Sequence, residues 1–111
     1  MPTDDFVSQA SIQRYAATID DLTPHERDER LDLLEAFAKH VGREPDTMIE
    51  EIFDEATRKY KKRGFYTNGA KEFAATFGDS HNAQLRRSNV IRAFFIANGR
   101  RLLTEQPAWM S

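Results

Sequence analysis

Hydrophobic and polar residues follow one another along this chain with the period of an α-helix. Apolar positions three and four residues apart recur in five segments, whereas the every-second-residue alternation of a half-buried β-strand is nearly absent. Each apolar stripe predicts a short amphipathic helix that buries one face. The five stripes are Ile12, Tyr15, Ala16 and Ile19; Leu31, Leu34, Phe37, Ala38 and Val41; Ile49, Ile52, Phe53, Ala56 and Tyr60; Ala70, Phe73, Ala74 and Phe77; and Leu85, Val90, Ile91, Phe94, Phe95 and Ala97.

Start and stop signals frame these stripes. Thr23 and Glu26 have the spacing of a capping box, and Thr47 and Glu50 repeat it ahead of the third stripe. Four glycines stand where a left-handed residue commonly ends a helix: Gly42, Gly64, Gly78 and Gly99. Together the signals predict an all-α fold, a compact bundle of four to five short amphipathic helices. We divide it into an N-terminal helical extension (1–19), a helical core (20–103) and a tail (104–111).

Composition narrows the functional classes. The chain has 111 residues and no cysteine, which excludes disulfides and thiolate zinc sites. Its His, Asp and Glu residues form no close set with metal-ligand spacing, so we expect neither a metal nor another cofactor. No apolar run approaches the roughly 20 residues that span a bilayer, and the acidic N-terminus does not resemble a signal peptide. We therefore expect an intracellular, cytoplasmic protein without a membrane partner.

Charge is divided sharply between the two halves of the chain. Residues 1–57 carry 15 acidic and 5 basic residues, whereas residues 58–111 carry 3 acidic and 11 basic residues. A strongly basic half predicts a surface for a polyanion, and the commonest polyanion is nucleic acid. The alternative is that these charges are only a solvated face.

The first basic cluster follows the third stripe. If residues 47–63 form one helix with its apolar stripe in the core, then Arg58, Lys61 and Lys62 point away from the core, and Arg63 stands at the helix end. Cations at a helix C-terminus complement the helix dipole, but one or two would suffice. The excess predicts phosphate contacts.

The second basic cluster opens the fifth predicted helix. Cations in the first turn of a helix oppose its dipole, so their presence there favours a function. The types present are those that contact phosphates and base edges. We expect the arginines to contact phosphates and the amides to reach base edges; the alternative is an ordinary exposed helix start. The candidate DNA-binding residues of this cluster are Asn82, Gln84, Arg86, Arg87 and Asn89.

Three stretches carry a resemblance to a known family: Leu31-x-x-Leu34-x-x-Phe37-x-x-His40-Val41-Gly42, then Pro45 to Ile52, then Val90 to Ile96. In this order and spacing they resemble the SAM-like core-binding domain of phage integrases and other tyrosine recombinases. The resemblance covers about residues 20–100 of the chain. The chain differs from the family on the first main helix. There the family often has Thr and, four residues later, Tyr, whereas this chain has Glu26 and Arg30.

The resemblance implies a DNA-binding domain that grips attachment-site duplex DNA during DNA integration and recombination. Its partners would be double-stranded DNA and, on that DNA, other copies of the recombinase. The family's catalytic domain is a separate, larger one that this chain is too short to hold, so we expect no catalytic residue and no enzyme activity here. The chain would be either a fragment of a recombinase, with residues 104–111 as a tail or linker toward that domain, or a stand-alone relative.

Two alternatives stay open beside the resemblance. One is a helical protein-interaction or dimerisation module, in which acidic and basic halves pair. The other is a helix-turn-helix regulator, suggested by the spacing of Ala74, Gly78 and Ser80. That motif needs apolar residues where this chain has Gln84 and Arg87.

Overall fold

The fold is an all-α bundle with one small β-hairpin. A computed structural model describes residues 2–102. The predicted all-α class is confirmed, while the tail at 104–111 lies outside the described residues. In chain order the elements are α1 (Asp4–Val7), α2 (Ala10–Thr18), α3 (Pro24–Val41), α4 (Pro45–Glu51), β1 (Phe53–Asp54), β2 (Lys59–Tyr60), α5 (Arg63–Ala75) and α6 (His81–Ala97).

Aromatic side chains join the helices into one core. The rings of Phe37 on α3 and Phe73 on α5 meet edge to face, with centroids 5.6 Å apart. Tyr66 on α5 contacts Phe95 on α6 at 5.4 Å, and the neighbouring Phe94 is fully buried. The apolar stripes of the second and fifth segments therefore face the core, as their spacing predicts, and so does the fourth except for Phe77, which is 48 % exposed.

Several predicted helix ends are confirmed. The Thr23 hydroxyl accepts a hydrogen bond from the Glu26 amide at 3.2 Å, which caps α3. Gly42, Gly78 and Gly99 adopt left-handed φ angles of 70°, 66° and 73° after α3, α5 and α6. A glycine accepts this conformation without the Cβ clash that other residues suffer.

The third predicted helix is wrong beyond residue 51. Pro45 begins α4 two residues before the expected cap, so Thr47 lies inside the helix rather than ahead of it. After Glu51 the chain forms an antiparallel hairpin in which Phe53 pairs with Tyr60. Their rings meet edge to face at 5.1 Å, a cross-strand aromatic contact that a helix would not provide.

Gly64 does not end a helix. It is the second residue of α5, which begins at Arg63 and not near residue 70 as the fourth stripe predicts. As a consequence Thr67 lies inside α5, and its hydroxyl donates to the Arg63 carbonyl at 2.8 Å. The basic segment between residues 58 and 63 is therefore the second arm of a hairpin and the start of a helix, not the back of one helix.

Candidate nucleic-acid interface

The hairpin packs against the end of α6 and brings two separate basic segments together. The Tyr60 hydroxyl accepts a hydrogen bond from the Arg101 amide at 3.0 Å, and Arg63 Nε donates to the Arg101 carbonyl at 2.8 Å. The combined cluster is called here the basic hairpin surface. It consists of Arg58, Lys59, Lys61, Lys62, Arg63, Arg100 and Arg101.

Two arginines of this surface fix the hairpin in place. The Arg63 guanidinium lies 3.9 Å from the centre of the Tyr60 ring, and that of Arg100 lies 4.5 Å from the centre of the Phe53 ring. Stacking of this kind is electrostatically favourable and orients both partners. Arg100 also pairs with Glu55 at 2.6 Å. Arg63 and Arg100 therefore position the hairpin, and their cationic groups are already engaged.

The other cations of the surface remain available to a ligand. All are exposed, and none forms an ion pair within 4.0 Å of a carboxylate in residues 2–102. Lys62 is partly oriented by the Phe65 ring, whose centre lies 5.8 Å from its Nζ. The available cations are Arg58, Lys59, Lys61, Lys62 and Arg101.

Two acidic residues share the hairpin without cancelling its charge. The Asp54 carboxylate accepts a hydrogen bond from the Ala56 amide at 2.9 Å and so closes the turn. This bond to the backbone lowers the pKa of Asp54 and keeps it ionised. Glu55 is paired with Arg100. The surface thus retains an excess of positive charge.

The second predicted cluster is only partly available. Arg87 donates two hydrogen bonds to the Asp79 carboxylate, one of them at 2.7 Å, and its guanidinium stacks 4.0 Å from the Phe77 ring centre. The hydrogen bond from Arg87 lowers the pKa of Asp79, so the pair stays charged on both sides. Arg87 is therefore held by the protein itself, which makes it a weaker phosphate ligand than its sequence position suggests.

The remaining side chains of this cluster also differ in whether they are already hydrogen-bonded within the protein. Gln84 Nε2 donates to the Asp79 carbonyl at 3.0 Å, and Asn89 Oδ1 accepts from Arg92 at 3.3 Å. Asn82 and Arg86 are exposed, and neither side chain has a hydrogen-bond or ion-pair partner among the described residues. They are the two members of this cluster that are free to contact a ligand.

The two basic clusters lie at opposite ends of one helix pair. The contact of Tyr66 with Phe95 and the 3.5 Å hydrogen bond from Arg87 to the Ala74 carbonyl show that α5 and α6 run antiparallel. The 17 residues of α6 span about 25 Å, which sets the separation of the clusters. A helix-turn-helix motif instead crosses its helices at roughly 90–120°. The packing along both helices does not support that alternative.

Sequence reasoning missed Arg100 and Arg101, although a signal was present. Both stand directly after Gly99, the predicted stop of the last helix, where cations complement the helix dipole. The sequence did not show that the hairpin lies next to Arg100 and Arg101. The hairpin was predicted as a helix, so nothing placed residues 58–63 beside the end of α6.

His40 and Arg43 have the His-x-x-Arg spacing that tyrosine recombinases use in their catalytic centre. Here Arg43 pairs with Glu51 at 3.0 Å, and the His40 ring lies 5.4 Å from that of Phe73. Tyr66 also donates a hydrogen bond to Glu51, and burial together with that bond raises the pKa of Tyr66. These contacts tie α3, α4 and α5 together, which gives the residues a structural role.

Comparison of the chain with protein-family models, with curated proteins and with solved structures finds no match. The resemblance to core-binding domains therefore stays a prediction. Within the described part of the chain, no His, Asp and Glu residues gather into a group that could hold a metal ion. No helix formed by residues 2–102 is both long and apolar enough to cross a membrane.

Proposed function

We propose that this chain is a DNA-binding domain that grips duplex DNA through the basic hairpin surface. The observation that carries the proposal is the set of five exposed cations, without an ion-pair partner in residues 2–102, that the hairpin and the end of α6 bring together. Lys and Arg side chains that neutralise phosphates supply most of the affinity for DNA. Because Arg63 and Arg100 hold the hairpin in place, little order has to be gained on binding.

The second cluster would contact the same duplex further along. Measured along α6, Asn82 lies about 23 Å and Arg86 about 17 Å from Ala97, the last residue of the helix, and both distances are less than the roughly 34 Å of one DNA turn. Two contacts at this spacing can reach separate segments of the phosphate backbone. A domain that grips DNA at both ends of a helix pair would then be oriented on it.

The role within a tyrosine recombinase is part of the proposal. All three stretches that resemble the family fall on helices: on α3, on α4 and on α6. In such a protein the cutting and joining of DNA would be carried out by another domain, inside the cell. This domain would contribute the grip on the attachment site, next to other copies of the protein.

Salt dependence tests the proposal. Five phosphate contacts from the basic hairpin surface and one from Arg86 predict that log affinity for a duplex falls with log salt with a slope of about −5.4, or about 1,800-fold between about 50 and about 200 mM. Titration of a labelled duplex, followed by fluorescence anisotropy at several salt concentrations, measures the slope. Absence of binding at low salt, or an affinity that ignores salt, would contradict the proposal.

Matched variants locate the contacts. The double variant Lys61→Ala/Lys62→Ala is expected to make the slope shallower by about two, and Arg86→Ala by about one. Lys39→Ala removes an exposed lysine of α3 that belongs to neither cluster, and should leave the slope unchanged. Equal effects of Lys39→Ala and of the double variant would show that only net charge matters.

The acidic half gives a second candidate function, pairing between copies. Residues 1–57 carry the excess of acid that could meet the basic hairpin surface of another copy. Sedimentation velocity at the same salt concentrations separates the two functions. Self-association that weakens with salt, in a protein that does not bind DNA, would favour pairing.

A further inference from the structure

The tip of the hairpin holds an arginine in a conformation that arginine disfavours. Arg58 is the last residue of the turn between β1 and β2, and its amide donates to the Asp54 carbonyl at 2.7 Å. Its φ is +57°, and it is the one residue other than glycine with a positive φ among residues 2–102. In this region the Cβ crowds the backbone, so Gly or Asn normally occupies such a position.

The Arg58 side chain contributes no contact that would explain its presence. It is exposed, and in the described part of the chain its guanidinium has no hydrogen-bond or ion-pair partner. The turn accounts for the left-handed backbone, but not for an arginine where glycine or asparagine would be unstrained. A strained residue kept at an exposed position is typical of a binding contact.

The body of the hairpin is not free to lie against a ligand on both sides. Phe53 and Tyr60 are covered by Arg100 and Arg63, and the Asp54 carboxylate is used to close the turn. A β-ribbon that reads the DNA major groove, about 12 Å wide, has to enter with its strands. Here one face of the ribbon is covered by arginines and Arg58 is exposed at its tip, and a single arginine side chain suits the minor groove, about 6 Å wide.

From this we infer that Arg58 enters the minor groove of the duplex bound by the basic hairpin surface, and that the domain prefers A·T-rich DNA there. The inference rests on the proposed function and adds a groove and a sequence preference to it. Runs of A·T pairs narrow the minor groove and strengthen its negative potential, which attracts an inserted arginine. The flanking lysines would meanwhile contact the two phosphate backbones that border the groove.

Two duplexes of equal length test the inference, one with a central A-tract and one rich in G·C. The protein is expected to bind the A-tract duplex about tenfold more tightly, the scale of one specific contact. Arg58→Gly should abolish this preference while raising the thermal unfolding midpoint, because glycine accepts the left-handed turn. Arg58→Asn also tolerates that conformation and provides a second folded variant.

Lys59→Ala is the matched control. It removes the next cation along the chain, at an exposed strand position, and should weaken binding to both duplexes equally and leave the tenfold ratio intact. Equal affinities of the unaltered protein for the two duplexes, or a ratio that survives Arg58→Gly and Arg58→Asn, would overturn the inference and leave the proposed function standing. No binding to either duplex at low salt would overturn both.

Discussion

Replacing Gly64 by alanine tests where the basic segment changes from hairpin to helix. Gly64 is the second residue of α5, its φ is not left-handed, and no atom lies within 4 Å of the position that a Cβ would take. Alanine therefore meets no clash. It also loses less backbone entropy than glycine on folding, so the change should stabilise the protein.

The size of the effect follows from this geometry. Glycine to alanine at a compatible helical position gains about 0.4–1 kcal/mol. In a domain of this size that corresponds to a rise of about 2–6 °C in the midpoint of thermal unfolding. Gly42→Ala is the matched control, because Gly42 has a φ of +70° and alanine there costs about 1 kcal/mol or more. The two variants should shift the midpoint in opposite directions.

Thermal unfolding followed by far-ultraviolet circular dichroism measures both shifts on the same scale. If Gly64→Ala lowers the midpoint as Gly42→Ala does, Gly64 ends a helix. The basic segment would then belong to one long helix, as the apolar stripe alone predicts. The hairpin, and with it the basic hairpin surface, would be refuted.

Two further predictions concern contacts that hold the elements together. The carboxylate of Asp46 accepts a hydrogen bond from the Ser11 amide at 2.8 Å. Burial acts to raise the pKa of Asp46, but hydrogen bonding at the start of α2 outweighs it and the pKa is lowered. The stabilisation by the Asp46 carboxylate is thus present above about pH 4 and is lost as the pH falls through the lower pKa of the folded state. Asp46→Asn should therefore lower the free energy of unfolding in urea by about 1 kcal/mol at pH 7 and by progressively less in acid. A difference in unfolding free energy that does not change with pH would contradict this. Tyr60→Phe removes the acceptor for the Arg101 amide. Hydrogen exchange at that amide should become about fivefold faster, the equivalent of about 1 kcal/mol. Unaltered exchange would show that the Tyr60 hydroxyl does not anchor the hairpin.

Most of the helical fold was predictable because three kinds of signal coincide there. At α3 the Thr23 cap, the apolar stripe and the Gly42 stop all point to one helix, and the structure has it. The third predicted helix showed the same three signals, a cap at Thr47, an apolar stripe and a stop at Gly64, and yet the chain forms a hairpin after α4. Ile49, Ile52 and Phe53 satisfy a helical stripe, but the continuation to Tyr60 rests on a spacing that a hairpin also allows, since Phe53 and Tyr60 are cross-strand partners. Periodicity cannot separate the two over so short a run.

The candidate site was predictable in its residue types and not in its arrangement. Sequence identified the cations at Arg58 and Lys61 but not that Arg100 would lie beside the same hairpin, because that contact joins residues more than 40 positions apart. Nor does charge alone distinguish Arg86 from Arg87. Only the position of Asp79 shows that the second of these neighbours is paired within the protein.

The hairpin enters and leaves the bundle at almost one point. The amide of Lys61 donates to the carbonyl of Ile52 at 2.8 Å, so the segment between them starts and ends at that bond. Phe53 and Tyr60 hold the base of the hairpin against Arg100 and Arg63, whereas the turn beyond Asp54 and Lys59 is exposed. An exposed turn whose ends meet can be lengthened, shortened or exchanged at little cost to the rest of the chain. The helical scaffold and the tip can thus diverge separately, and a different tip sequence could be grafted between Asp54 and Lys59 to redirect what the domain binds.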